Sequence, residues 1–327
     1  MRKVVLAILG LLCVSVSAHY GAFGEGGPET PIGSKWWPSE WGADDQRGAA
    51  NRLTAKKVLE AKELIREGRT YQLGRVYEHG MPMPGKRHYS LTIPGLPTGA
   101  PSPDAQNQIV HNDELISGEI GQVGTQFDGL GHIGVHVGQD DVFYNGFKLA
   151  EFGDMYGLKK LGIENVGPIF TRGVLLDIAA LKGGRLEPGQ VITAADLQQA
   201  AKAARVTLRP GDAVLIHTGH GFWWMNDNKK YGDSEPGIGL EAAKWLAEQK
   251  IALVGADTWA IEVVPSENPS RPFEVHQFLL TRNGIYQLEN LDLSELARDK
   301  VTEFAFVFTP LRLKGATGSP GNPIAVK

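Results

Sequence analysis

The chain has one cysteine, Cys13, in 327 residues. A single thiol forms no internal disulfide and rules out cysteine-rich zinc sites. Charge of one sign is lacking too: 33 basic residues face 37 acidic ones, for a net charge of −4. No long basic block appears, so nucleic acid is not an expected partner. There is no G-x-G-x-x-G between a strand and a helix, and no Walker pattern, which removes the common nucleotide loops. The apolar run from Val4 to Ala18 falls short of the ~20 residues of a membrane span, so no stable span is expected.

That run has another meaning. Met1-Arg2-Lys3 is a positive start, and Ser15-Val16-Ser17-Ala18 supplies the small residues of a cleavage site. Residues 1–18 read as a signal peptide, with the mature chain at 19–327, exported to the periplasm or secreted. Cleavage removes Cys13. Any metal in the mature protein must then be held by nitrogen and oxygen.

What is present suits a folded domain: 42% hydrophobic and 21% charged residues. Thr54 is an expected N-cap for a helix in "AKKVLEAKELIREG", which Gly68 should stop. The proline-rich stretch 80–113 reads as a long loop of the kind that forms lids or binding loops. Beyond it, apolar runs at 173–179, 213–219, 251–258 and 303–313 alternate with amphipathic helices at 194–206, capped by Thr193, and 239–250. This alternation predicts a single α/β domain, a mixed sheet flanked by helices.

One stretch carries the chemistry: "GQVGTQFDGLGHIGVHVG", Gly121 to Gly138. In an extended segment Gln122, Gln126 and Asp128 share a side, and a turn at Gly129 and Gly131 brings His132 round. A carboxylate, an imidazole and amide oxygens suit a divalent ion, with amide oxygen favouring harder ions such as Mn²⁺ or Mg²⁺ and His132 admitting Zn²⁺. A polar turn fits the same composition. His276, in "FEVHQFLL", and Glu289, thirteen residues on, are distant candidates.

The stretch resembles the signature of the cyclase family of metal-dependent hydrolases, which includes kynurenine formamidases and isatin hydrolases. That signature reads His-x-Gly-Thr-His-x-Asp-x-Pro-x-His. Gly124, Thr125, Asp128 and His132 match it, while Gln122 and Gln126 stand at the first two histidines and Leu130 at the proline. "WGADDQRGAANRLT", "RGVLLDIA", "GDAVLIHTG", "VGADT" and "GATGSPGNPIAV" follow in the family's order, so the likeness covers roughly residues 40–327.

The resemblance implies a swivelling β/β/α fold and a metal centre. It puts Gln122, Gln126 and Asp128 at a first metal position, and Asp128, His132, His276 and Glu289 at a second. Glutamines at the first position lead us to expect one divalent ion, Zn²⁺ or Mn²⁺. His132, His276 and Glu289 are the candidates for moving protons.

The implied activity is hydrolysis of an amide-type C–N bond, in an aryl formamide or a cyclic amide, by metal-activated water. A lactonase and an inactive extracytoplasmic binding protein are the competing readings. The implied partners are a small aromatic substrate and further copies of the chain, as a dimer or tetramer. Trp36, Trp37, Trp41, Phe127, Phe222, Trp223, Trp224 and Trp259 are available for a substrate wall.

Overall fold

The computed structural model describes residues 29–327; the expected signal peptide and Cys13 lie outside the described residues. Nine strands form one mixed sheet: β1 (Thr70–Gln72), β2 (Gln126–Asp128), β3 (Ile169–Asp177), β4 (Ala213–His217), β5 (Leu253–Ala256), β6 (Tyr286–Glu289), β7 (Glu303–Phe308), β8 (Gly318–Pro320) and β9 (Ile324–Val326). Their spatial order is β1-β9-β7-β3-β4-β5-β6-β2-β8. The middle four, β3 to β6, run parallel, and the neighbours on either side pair antiparallel. This is the expected α/β architecture with a mixed sheet flanked by helices.

Strands buried on both faces read as continuous apolar runs. "GVLLD" and "AVLIH" do so because alternate residues serve two cores. Val174, Leu176, Val214, Ile216 and Val254 pack under helices α2 (Ala194–Ala204) and α3 (Leu240–Glu248). Leu175, Leu215, Leu253, Tyr286 and Leu288 face the other way, onto Phe127, Leu130, Phe304 and Phe306. Thr193 and Asp196 close α2 with reciprocal side-chain bonds, the capping box expected of T-x-x-D.

Some boundaries differ from expectation. Helix α1 (Ala55–Lys62) is capped by Thr54 but ends well before Gly68. The run 303–313 is a strand only to Phe308, since Pro310 offers no ladder donor. The proline-rich stretch is not all loop: Tyr89–Thr92 pairs with Leu115–Gly118 as an exposed hairpin. Among the described residues no helix is long and apolar enough to cross a membrane.

Candidate metal centre

β2 is three residues long and lies between β6 and β8. Its middle residue, Phe127, is fully buried, stacked on Tyr286 at 4.9 Å and beside Phe308 at 5.2 Å. Because alternate side chains leave a strand on opposite faces, anchoring Phe127 sends Gln126 and Asp128 together to the other side. Gln122 is not on the strand but in the bend before it. After Asp128 the chain turns, His132 N donating to Gly129 O at 3.0 Å. A Cβ at Gly131 would lie 2.5 Å from Leu158 Cδ1, so a side chain there would displace Leu158.

Glu289 ends β6 directly opposite Gln126. Asn290 then clamps the approach to β2: its Nδ2 donates to Gly124 O at 2.7 Å, and its carbonyl accepts from Thr125 Oγ1 at 2.8 Å. His276 closes a short helical turn that continues as a π-helical segment, Gln277–Arg282. Such segments recur at functional sites. Gln277 and Thr281 tie it to the carbonyls of Gly134 and Ile133, holding His276 against the turn that carries His132.

Asp128, His276 and Glu289 therefore converge. One donor atom from each lies within 4.8 Å of the other two. His276 Nε2 is 3.2 Å from Glu289 Oε1 and 4.0 Å from Asp128 Oδ2. His132 Nε2 is 3.8 Å from the same Asp128 oxygen. Its side chain is 20% exposed, against 1% for Asp128, so His132 stands at the open side of the cluster.

Two residues that sequence reading did not single out complete the arrangement. Glu262 Oε1 accepts from both the Nδ1 and the backbone N–H of His276. Arg87 donates to Gln122 Oε1 at 3.2 Å, while Gln122 Nε2 donates to Asp128 Oδ1 at 2.9 Å. Both ends of Gln122 are thus committed to protein partners. Gln126 Nε2 donates to Glu289 Oε2, and its own Oε1 is buried without a partner. The glutamines supply neutral N–H groups to the two carboxylates.

The electrostatics are unbalanced. Asp128, Glu262 and Glu289 are all buried. Among the described residues only His132 and His276 lie within salt-bridge distance of them, with no lysine or arginine. Burial, reinforced by the Asp128 charge, pushes the Glu289 carboxyl up to about 7. Burial alone would lower His276, but the Glu262 and Glu289 carboxylates at its two ends raise it well above its ordinary value. Burial lowers His132; Asp128 opposes this, and His276 and Arg87 add to it.

Asp128 Oδ2 is buried with no hydrogen-bond partner and lies 3.8 Å from His132 Nε2 and 4.0 Å from His276 Nε2. An orphaned carboxylate oxygen beside two imidazoles and a second carboxylate fits a divalent cation, which would supply the missing positive charge.

Sequence comparison fits this geometry. The family model described as "Putative cyclase" matches residues 71–263. The chain belongs to the cyclase family. The match takes in the Gln122–His132 stretch and Glu262. Kynurenine formamidase of Bordetella petrii is 29% identical over 139 residues, 41% of this chain. That match spans 56% of the formamidase, little more than half its length. A crystal structure described as a novel cyclase is 36% identical with a TM-score of 0.79, covering 88% of this chain and 96% of its own. Isatin hydrolase A of Ralstonia solanacearum shares the fold at 18% identity and a TM-score of 0.60, covering 84% of this chain and 98% of its own.

The expected aromatic wall is mostly elsewhere in this cyclase-family chain. Phe127 is core, and Trp36 and Trp37 pack edge-on against each other. Trp41 lies under Arg52. The Phe273 ring is 5.5 Å from that of His276, and the Trp259 ring is 6.5 Å from that of Phe273.

Proposed function

We propose that this protein is a metal-dependent hydrolase of an amide-type C–N bond, working with one divalent ion, Zn²⁺ or Mn²⁺. Asp128, His276 and Glu289 are its protein ligands in this reading. Three ligands leave open positions, as catalytic sites require. The observation that carries the reading is the buried, unpartnered Asp128 Oδ2 facing His132 and His276. Bound there, the ion supplies Lewis acidity toward a carbonyl oxygen and makes water more acidic.

The chain's own residues do the rest. Glu262 holds the proton of His276 on Nδ1, which turns the Nε2 lone pair toward Asp128 and Glu289. Gln122 and Gln126 fix one oxygen each of Asp128 and Glu289, leaving Asp128 Oδ2 and Glu289 Oε1 toward the histidines. His132, neutral near pH 7 because burial lowers it, accepts a proton at Nε2 and returns it to the leaving amine. Phe273 and Trp259 offer an apolar wall to an aromatic substrate, an aryl formamide or a cyclic amide. Export through residues 1–18 and assembly as a dimer or tetramer belong to the same proposal.

The test is Asp128→Ala in the full chain, with metal content by mass spectrometry and a hydrolysis screen over aryl formamides, cyclic amides and lactones. The wild-type protein should carry metal and cleave an amide, and the variant should do neither. A variant that keeps both sinks the reading. Wild-type protein that carries no metal and cleaves nothing supports a binding protein instead, and cleavage of lactones alone supports a lactonase.

A further inference from the structure

A cavity of about 510 Å³ lies apart from the metal centre; none of Asp128, His132, His276 and Glu289 lines it. It opens at the carboxyl ends of three adjacent parallel strands. Asp177 ends β3, His217 ends β4 in register with it, and Asp257 follows β5. Ligands of α/β proteins bind outside this edge of the sheet. The volume is that of a small-molecule site.

The acids in the cavity already have donors. Asp257 accepts from Thr218 N at 2.8 Å, Thr218 Oγ1 at 2.7 Å, Gly219 N at 2.9 Å and Gly221 N at 3.2 Å. Asp177 Oδ1 accepts from Ala180 N at 2.9 Å and pairs with His217 Nδ1 at 2.8 Å. Asp292 pairs with Arg75 Nη1 at 3.1 Å and accepts from Ser294 Oγ at 2.6 Å.

The donors are not all used. His217 Nε2 makes no hydrogen bond among the described residues, and its nearest charged neighbour is Asp257 Oδ2 at 4.0 Å. Arg185 spends only Nε, on Gly219 O at 3.1 Å, and has no carboxylate partner among the described residues. Its guanidinium lies 3.9 Å from the Phe222 ring and 4.8 Å from that of Trp223, so stacking orients the fork. Arg75 Nε is buried without a partner. Phe222, half exposed, and Trp224 give the cavity an apolar side.

We propose that this cavity is a second binding site for an organic carboxylate, its charge held by Arg185 and His217 and its apolar body laid against Phe222. A guanidinium fork matches a planar carboxylate. Although burial opposes it, pairing with Asp177 and the Asp257 and Asp292 charges raise His217, which favours the imidazolium form, whose Nε2 is a donor. The proposal does not depend on the hydrolase reading.

The experiment is calorimetric titration of the full, chelator-treated chain with benzoate, with benzamide as the neutral isostere and inorganic phosphate as the anion without an apolar body. Chelation keeps benzoate from reporting on the metal centre. Benzoate should bind saturably, benzamide and phosphate at least about tenfold more weakly, and Arg185→Ala and His217→Gln should each weaken benzoate about tenfold or more. Arg185 is exposed, so its variant should keep the wild-type thermal midpoint. No saturable benzoate binding at about 10 mM overturns the proposal, as does equal affinity in both variants. Benzamide or phosphate binding as tightly as benzoate overturns it too.

Discussion

Removing the Glu262 carboxylate should weaken metal binding through His276. Glu262 touches none of the three ligand atoms; its Oε1 accepts from Nδ1 and the backbone N–H of His276. Partners of this kind set the tautomer and basicity of a ligating histidine, and losing one costs about 10–100-fold in affinity. Two substitutions divide that range. Glu262→Gln keeps an oxygen in place but loses the charge, so about tenfold is expected, or ~1.4 kcal/mol. Glu262→Ala also leaves two buried N–H groups without an acceptor. It should approach the hundredfold end, ~2.7 kcal/mol, and lose stability by ~1–3 kcal/mol per stranded group. Competition against a chromogenic chelator for Zn²⁺ or Mn²⁺ reads the affinity, and urea unfolding reads the stability. Wild-type affinity in both variants would refute the reasoning, as would a larger loss in Glu262→Gln than in Glu262→Ala.

Metal affinity should fall as pH drops through about 7, because Glu289 then takes up the proton that competes with the ion. His276, raised well above its ordinary value, must also give up a proton, so metal binding should acidify a weakly buffered solution. Affinity flat between about pH 6 and 8, with no proton release, contradicts this. Phe127→Ala should cost ~3–5 kcal/mol in chemical unfolding, because the ring is fully buried between Tyr286 and Phe308. It should also loosen metal binding, since Phe127 sets the side to which Asp128 points; full stability would show that β2 does not depend on this stack.

The parallel core was legible because its strands are buried on both faces, and "GVLLD", "AVLIH" and "IALVGA" carry that burial openly. Thr193 as the N-cap of α2 was legible because a cap depends on neighbouring residues alone. β2 shows the limit. Three residues make too short a run for periodicity, yet the side shared by Gln126 and Asp128 was correct, because it needs only alternation. Gln122 lies in the bend at 121–125 rather than on the strand, yet its amide still reaches Asp128.

His276 and Glu289 stood out only as distant candidates, and the resemblance alone joined them to Asp128: a π-helical segment and a turn separate them, and no repeat spans that path. Glu262 did leave a signal. It is a lone carboxylate in the apolar run "WAIEVVP", where burial requires a partner. The role of the glutamines was hidden because sequence names the side chain but not which end of the amide faces the carboxylate. The aromatic wall failed for a simpler reason. Indoles fill many kinds of gap: Trp36 and Trp37 pack edge-on against each other, and Trp41 lies under Arg52.

The central claim is that one divalent ion sits among Asp128, His276 and Glu289, with the Gln122 and Gln126 N–H groups on the two carboxylates. Metal stoichiometry tests it most directly, by native mass spectrometry and inductively coupled plasma analysis of the full chain saturated with Zn²⁺ or Mn²⁺ and then desalted. The account predicts one tightly held ion per chain, lost in Asp128→Ala and kept in Gln122→Ala. Two ions per chain, or none in the wild-type protein, would contradict it.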